Sequence, residues 1–465
     1  MTRNKTILSL SLVMMLMAGT ALAGCSSSTG QTGGGNGSNK GSAGSGDNNG
    51  GTAATGETVD WSQVEADIRF VYPGTSELEK ELAEQFKAKM KEKYPKVNIE
   101  YMFLSWNDME KKLAVMINSN DWPDMTMTQD VTNLVQLKGL ADLTPFLNAA
   151  DSKIKRDNFL PGTLEYVSRG DAVYYIPNLV NSFSLMVNEA MLEEAGMKLD
   201  ELRTWADVER AAELMTKDGK YGFGYPLGAS RFAFRVPFTA GYSNELVLDD
   251  TSETSKQKYL ETLQHMQNLE KFQPKAHLTW GYPEMFRAFS NGEVGMIAAG
   301  TFFSANVYSI NPDIMNTARA IPYPSGPSAA KPQAPVSSVG VAMFEGSKHK
   351  ELVWKLMEEW SSAEFNTTQA ATVNISAFKD ANLEAIIEKA ESIYPKTIDG
   401  HKRLLEDFNA MVNTAGAPMA TIPGQSEMEV VVQDNMQKLL TGKSTVEESY
   451  EAIRAGIDAI KAKFN

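Results

Sequence analysis

Short strand patterns and amphipathic helix patterns alternate at the start of the globular part of this chain, and this alternation constrains its fold more than any other feature. The β-rich segment 67–72 precedes a helix pattern, and apolar residues alternate over 97–103. A second helix pattern covers 107–118, and a short strand pattern covers 125–128. Strands joined by helices in this order form right-handed crossovers in a parallel sheet, so we predict an α/β fold.

Individual elements follow from local signals. Ser76 and Glu79 predict a capping box at the start of the first helix, and Pro95 predicts its end. Trp205 and Trp354 fall on the apolar faces of helix patterns, so we expect both in the core. Further strands are predicted at 185–187, 295–299 and 338–344, and further helices at 188–195, from 204, at 352–360 and at 445–463.

The ends of the first three strands supply the first candidate site residues. Tyr72 ends the first strand, Trp106 follows the second, and Thr128, Gln129 and Asp130 end or follow the third. In such sheets, ligands bind beyond the carboxyl ends of the strands. For the two aromatic residues, packing in the core is an equally good interpretation.

The composition excludes several classes of function. The formal net charge of -14 argues against nucleic-acid binding, which needs a basic surface. The sequence has no HExxH, GxSxG or P-loop motif, and its four histidines do not form a metal-binding pattern, so we predict no enzymatic activity, cofactor or metal. His265 lies in a polar helical stretch, which predicts a surface position. The SxxK pattern at 347–350 is interpreted as a solvated loop.

The N-terminus predicts secretion and attachment to a membrane. Arg3 and Lys5 precede 17 uncharged residues at 7–23, as in a signal peptide covering 1–24. The sequence Leu22-Ala23-Gly24-Cys25 resembles the bacterial lipobox. This resemblance implies that the signal peptide is cleaved before Cys25 and that the Cys25 thiol carries lipid. The alternative is an ordinary signal peptide with an incidental cysteine. Residues 25–57 form the predicted tether, because 26–57 contain 11 Gly and six Ser. A flexible chain of this length spans about 30 Å.

Nine motifs, in order along the chain, resemble the extracellular solute-binding proteins of ABC importers, in the family of the maltose- and oligosaccharide-binding proteins. They are DWPD at 121–124, LKGLADL at 137–143, YYIP at 174–177, LMVN at 185–188, AG at 195–196, TWADV at 204–208, FSNGEVGM at 289–296, PYPSGP at 322–327 and GKSTVEE at 442–448. Each motif is weak by itself, and their common order carries the resemblance.

The resemblance implies two α/β lobes, each with a mainly parallel sheet flanked by helices, joined by hinge crossovers. The N-terminal lobe would take 58–180 and 336–374, and the C-terminal lobe 181–335 and 375–465. The ligand would be a carbohydrate, held between the lobes and passed to ABC permease subunits by a monomer anchored on the outer face of a Gram-positive cell membrane. Further candidate ligand-binding residues are Asn181, Arg231, Arg235, Trp280, Tyr282 and Phe302. The last of these is the aromatic residue of the turn at 300–302, which resembles the family's Gly-x-aromatic turn.

Two alternatives remain at this point. An anchored glycan-active enzyme would need two convergent carboxylates about 5–9.5 Å apart, and the sequence identifies no such pair. A ligand sensor partnered with a membrane kinase would share the fold and differ at its outer surface.

Overall fold

The computed structural model describes residues 59–74, 76–129, 131–228, 235–372, 375–420 and 422–464, without the side chains of residues 107 and 235. Val59–Asn465 forms one compact unit. The predicted signal peptide, Cys25 and the tether lie outside the described residues.

The described residues alternate between strands and helices. The strands are β1 (Ala66–Pro73), β2 (Val97–Leu104), β3 (Met125–Thr128), β4 (Ser168–Arg169), β5 (Ala172–Val173), β6 (Ile176–Asn188), β7 (Tyr221–Gly224), β8 (Val294–Gly300), β9 (Ala318–Ile321), β10 (Ala334–Met343), β11 (Ile375–Ser376) and β12 (Gly416–Pro418). The helices of the first half are α1 (Glu77–Lys93), α2 (Trp106–Asn118), α3 (Thr132–Gln136), α4 (Thr144–Leu147), α5 (Thr163–Tyr166), α6 (Glu189–Glu194), α7 (Trp205–Met215) and α8 (Arg235–Tyr242). Those of the second half are α9 (Glu253–Glu270), α10 (Tyr282–Ser290), α11 (Phe303–Val307), α12 (Lys350–Trp360), α13 (Ala363–Thr372), α14 (Leu383–Ile393), α15 (Ile398–Ala415), α16 (Gln425–Leu440) and α17 (Val446–Lys461).

The predicted parallel unit is present at one end of the main sheet. Strand order is β2-β1-β3-β10-β6-β8-β7, with β1 parallel to both β2 and β3. The antiparallel strand β10 follows β3, and β10 also pairs antiparallel with β6. At the other end of the sheet β7 is parallel to β8. The sheet therefore contains two mixed halves that share β6.

Strand β6 is the connection between the two halves. Its first part, through Ser182, pairs with β10, and its second part, from Phe183, pairs with β8 and β9. All 13 of its residues are buried. A strand buried on both sides shows no polar-apolar alternation, and for that reason the sequence predicted only 185–187 of it.

Two hydrophobic cores flank the sheet. In the first, Trp360 is fully buried and makes edge contacts with Phe86, at 4.7 Å between ring centroids, and with Phe70, at 5.3 Å. Trp205 lies in the second core and Trp354 in the first, so both predictions are confirmed.

The capping box predicted at the start of α1 is present. The Ser76 hydroxyl accepts the Glu79 backbone N–H at 3.2 Å, and the Glu79 carboxylate accepts the Ser76 backbone N–H at 2.9 Å. Thr445 and Glu448 form the same reciprocal pair at the start of α17. Each pair satisfies backbone donors that a helix start leaves open, and so fixes where the helix begins.

One predicted surface residue is buried. His265 is 1% exposed: its Nδ1 lies 2.7 Å from a Glu209 carboxylate oxygen and its Nε2 lies 2.9 Å from the Tyr323 hydroxyl. The ring also stacks on Trp205 with 4.5 Å between centroids. The polar sequence around His265 is the exposed side of α9, whereas His265 itself lies on the opposite side.

No helix within the described residues is both long enough and apolar enough to cross a membrane.

Candidate functional site

The end of β3 lies beside the shared strand β6. Thr128 is buried, whereas the next residue, Gln129, is half-buried. The Tyr166 hydroxyl, at the end of α5, donates a hydrogen bond to the Gln129 backbone carbonyl at 3.2 Å. This contact fixes the backbone at the strand end and leaves the Gln129 amide to reach toward β6.

Asn181 connects the ends of two strands from opposite halves of the sheet. It is 3% exposed on β6, one residue before the strand changes partners. Its Nδ2 donates to the Gln129 Oε1 at 3.4 Å, and its Oδ1 lies 3.5 Å from the Thr301 hydroxyl, which shares its proton with the Val180 backbone carbonyl at 3.3 Å. Gln129 follows β3 and Thr301 follows β8, so one amide side chain spans both halves.

Aromatic rings lie beside this polar chain on the β8 side. Phe302 is half-buried and makes edge contacts with Phe183, at 5.9 Å between centroids, and with Phe286, at 6.4 Å. The Tyr282 ring lies 5.8 Å from Phe286. Trp280, at 9% exposure, accepts the Gly228 backbone N–H at its carbonyl, at 2.8 Å. The structure therefore brings Phe302 and Tyr282 into one cluster through Phe286.

Gly300 makes this arrangement possible. It lies opposite Phe183 in the β6–β8 pairing. A Cβ atom at Gly300 would lie 2.4 Å from the Ser182 carbonyl oxygen and 2.7 Å from the Phe302 ring. Only glycine allows the two strands and the ring to approach this closely.

Tyr72 does not lie with these residues. It is 1% exposed and packs in the first core, with ring centroids 5.5 Å from Trp360 and 5.9 Å from Tyr101. Burial, with a smaller contribution from the Glu79 carboxylate, raises the pKa of the Tyr72 phenol well above its usual value, so the group is neutral. Alternation along β1 turns Tyr72 to the same face as Phe70, which helix α1 covers. Tyr72 therefore belongs to the first core and lies apart from the polar chain at Asn181.

The other predicted residues are distributed as follows. Trp106 is the first residue of α2, half-buried against the first core. Arg235 begins α8, and its side chain is outside the described part of the chain. Asp130 and Arg231 also lie outside the described residues. In the SxxK pattern, Ser347 is buried and donates to a carboxylate oxygen of Asp124 at 2.6 Å, so it holds a turn and is not a solvated loop residue.

Four residues of this region were not predicted: Tyr166, Phe183, Phe286 and Thr301. Thr301 lies within the Gly-x-aromatic turn at 300–302, so that motif could have identified it. Phe183 and Tyr166 gave no local signal, because their positions depend on strand pairing and on helix docking. Among the described residues, no group of three or more His, Cys, Asp or Glu side chains is placed to hold a metal ion.

Comparisons with known proteins agree with this architecture. A Brucella abortus protein that carries a binding-protein name is 23% identical over 391 residues, covering 82% of this chain and 90% of its own. The arabinooligosaccharide-binding protein of Bacillus subtilis is 22% identical over 293 residues, covering 58% of this chain and 65% of its own.

A solved structure shows the fold. The ABC transporter solute-binding protein of Thermotoga lettingae, bound with α-D-tagatose, superposes with a TM-score of 0.70 at 19% identity, covering 85% of this chain and 99% of that one. This likeness confirms the predicted two-lobed α/β fold. The family model described as bacterial extracellular solute-binding protein matches residues 73–367. Because that match spans more than half of the 465 residues, the chain belongs to the bacterial extracellular solute-binding protein family.

Proposed function

We propose that this protein is the lipid-anchored receptor of an ABC importer. It binds a carbohydrate of the oligosaccharide class between its two lobes and delivers it to a membrane permease. Two relatives support a sugar ligand: one is named for arabino-oligosaccharides, and one was solved with α-D-tagatose. The proposal assigns binding, and no chemical step, to the site.

The observation that carries the proposal is the polar chain of Gln129, Asn181 and Thr301 beside the half-buried ring of Phe302. Planar amides and a hydroxyl can both donate to and accept from sugar hydroxyls. An aromatic face covers the apolar face of a pyranose. A few convergent polar groups against apolar walls are typical of small-molecule sites.

We further propose that the lobes divide at 180/181 and 335/336, with a third crossover near 374/375. The partner change of β6 after Ser182 supports the first boundary, since each half of β6 belongs to a different half of the sheet. Strand β11 pairs with Leu179 and Val180 in the first part of β6, which favours a third crossover a few residues after 374/375, beyond Ser376. Ligand capture would then be a hinge closure about β6 and β10.

The anchor proposal has its own test. Cells grown with a clickable palmitate analogue should label the protein, and Cys25→Ser should remove the label and release the protein from the membrane fraction. Arg3→Ala is a suitable control, since it should leave the label in place. Labelling that persists in Cys25→Ser would exclude Cys25 as the lipidation site.

Thermal unfolding of Val59–Asn465 with a panel of glycans tests the ligand class. A ligand at 100 times its Kd stabilises the folded state by about 2.7 kcal/mol. With an unfolding entropy of about 0.8 kcal/mol/K for roughly 400 residues, Tm should rise by about 3 °C. We expect a shift with one class of oligosaccharide. Shifts with amino acids or metal ions, and none with any glycan, would exclude the sugar proposal.

Phe302→Ala localises the site. The variant should stay folded, because Phe302 is only half-buried, and should lose most of the sugar-dependent shift. Tyr308→Ala is the matched control: Tyr308 is an exposed aromatic residue that packs on Tyr394, with 5.6 Å between ring centroids. It should keep the full shift. Equal losses in both variants would place the binding surface elsewhere.

A further inference from the structure

Helices α2 and α16 meet through a pair of side chains far apart in sequence. The Ser426 hydroxyl donates to the carboxylate of Glu110, with its Oγ 3.0 Å from Oε1 and 3.1 Å from Oε2. Glu110 also accepts a hydrogen bond from the Asn133 amide at the start of α3. We name the contact between Glu110 and Ser426 the α2–α16 contact.

The α2–α16 contact lies between two helices that border different hydrophobic cores. Met109, next to Glu110, is buried in the first core, and Met428, two residues after Ser426, is buried in the second. Helix α2 follows β2 at the parallel end of the sheet, whereas α16 packs against α17 and α9. The contact therefore holds together parts of the chain that strand β6 alone connects through the sheet.

The electrostatic setting favours the carboxylate at this position. Ser426 is the second residue of α16, a helix of 16 residues whose N-cap, Gly424, provides no side-chain hydrogen bond. A helix start carries unsatisfied N–H groups and a partial positive charge. The carboxylate of Glu110 on α2 brings a negative charge to the start of α16.

The α2–α16 contact can also open at little cost. Glu110 and Ser426 are both half-buried, so water can solvate each of them after separation. Glu358 and Glu359 on α12 differ, since both are buried and accept hydrogen bonds from lysine side chains. Removing a partner from a buried charge is strongly destabilising, whereas a half-exposed pair separates reversibly.

From these observations we propose that the α2–α16 contact is a latch that stabilises the closed arrangement of the lobes, with Glu110 acting as a positioning residue. Its part in ligand binding rests on the function proposed above, whereas its effect on lobe closure does not. Glu110 lowers the rate of ligand dissociation by holding α16 against α2, without touching the ligand.

The test measures lobe separation without ligand. The only cysteine of the chain is Cys25, so Val59–Asn465 has none, and spin labels can be placed at Val115→Cys on α2 and Val430→Cys on α16. These positions are 60% and 43% exposed, so labels should not disturb the cores. Pulsed electron paramagnetic resonance should show longer and broader label distances for Glu110→Gln and for Ser426→Ala than for the parent. Glu92→Gln, an exposed carboxylate on α1, should leave the distances unchanged.

Dissociation kinetics complete the test. With whichever glycan the thermal panel identifies, each latch variant should release the ligand about 5- to 10-fold faster, as expected for the weakening or loss of one typical hydrogen bond in a half-exposed place. The double variant should be no faster than Ser426→Ala, because loss of the hydroxyl donor already removes the contact, whereas the amide oxygen in Glu110→Gln still accepts a weaker hydrogen bond. Melting temperatures should stay close to the parent. If Glu110→Gln does not fold, Ser426→Ala carries the same test.

Two results would overturn the latch. Unchanged ligand-free distances in both variants would show that the contact does not affect closure. Weaker binding in Glu110→Gln, with Ser426→Ala like the parent, would mean that Glu110 contacts the ligand directly. If no glycan binds at all, the ligand-free distances still decide the latch, so its failure and that of the sugar proposal are distinguishable.

Discussion

Replacing Gly300 by alanine is the most direct way to perturb the site through its backbone support. The new methyl carbon would lie 2.4 Å from the Ser182 carbonyl oxygen, about 0.8–1 Å inside ordinary contact. That oxygen cannot move freely, because it accepts the Thr301 backbone N–H at 3.1 Å. The methyl would also lie 2.7 Å from the Phe302 ring, so either the β6–β8 pairing or the ring must shift.

The magnitude follows from these two contacts. Overpacking against rigid backbone costs about 1–3 kcal/mol, and we expect the upper part of this range. The alanine also restricts the unfolded chain, which returns roughly 0.4–1 kcal/mol. A net loss of about 2 kcal/mol, divided by an unfolding entropy of roughly 0.8 kcal/mol/K, lowers Tm by about 2–3 °C. A Phe302 ring displaced by about 1 Å should weaken sugar binding about 10-fold, or roughly 1.4 kcal/mol.

Calorimetric melting and titration of the variant with the identified glycan measure both effects. Gly224→Ala is the matched control, because Gly224 lies on the neighbouring strand β7, opposite Ile297. A methyl there would meet the side-chain carbons of Val294 at 3.1 Å and Ile297 at 3.3 Å, which can move. We expect that variant to bind normally and to melt within about 1 °C of the parent.

A Gly300→Ala variant that melts like the parent and binds the glycan with the parent's affinity would refute this role of Gly300. That result would mean that strands β6 and β8 separate at no cost, and that the Phe302 ring is not part of the binding surface. Loss of stability with unchanged affinity would retain the role of Gly300 in packing and would remove Phe302 from the site.

Further predictions concern stability. Burial lowers the pKa of His401 to about 4, whereas the ring in the unfolded chain titrates near pH 6.5. The neutral ring therefore stabilises the folded state fully above about pH 6.5. This stabilisation, of up to ~3 kcal/mol, is lost as the pH falls toward 4. Urea unfolding at pH 7.5 and 4.5 should therefore differ less in His401→Gln, and equal differences would contradict this account. Arg319 donates two hydrogen bonds of 2.8 Å to the Asp407 carboxylate. Arg319→Met should therefore lower the free energy of unfolding by about 2 kcal/mol, and adding Asp407→Asn should lower it little further. Fully additive losses in urea titrations would mean that the two residues are uncoupled. Tyr72→Ala should lower the free energy of unfolding by about 3–4 kcal/mol while the folded fraction binds glycan normally; weaker binding at unchanged stability would return Tyr72 to the site.

The sequence determined the local elements because their signals are local. The capping pair Ser76 and Glu79, the apolar spacing of α1 and the alternation in β2 predicted elements within a few residues of those observed. The order of nine motifs identified the family, and the Gly-x-aromatic turn led to Phe302. Each of these signals depends on residues close together in the chain.

Only the tertiary structure decided which of the candidate residues come together. Strand β6 is buried on both sides, so its sequence has no period that reveals its length or its change of partner. The direction in which Tyr72 points depends on the pleat of β1 and on coverage by α1, and the burial of His265 depends on the packing of α9 against Trp205. The chain from Gln129 through Asn181 to Thr301, and the contact of Glu110 with Ser426, join residues 52, 120 and 316 positions apart. Pairings at such separations depend on strand registry and helix docking, which local sequence patterns do not encode.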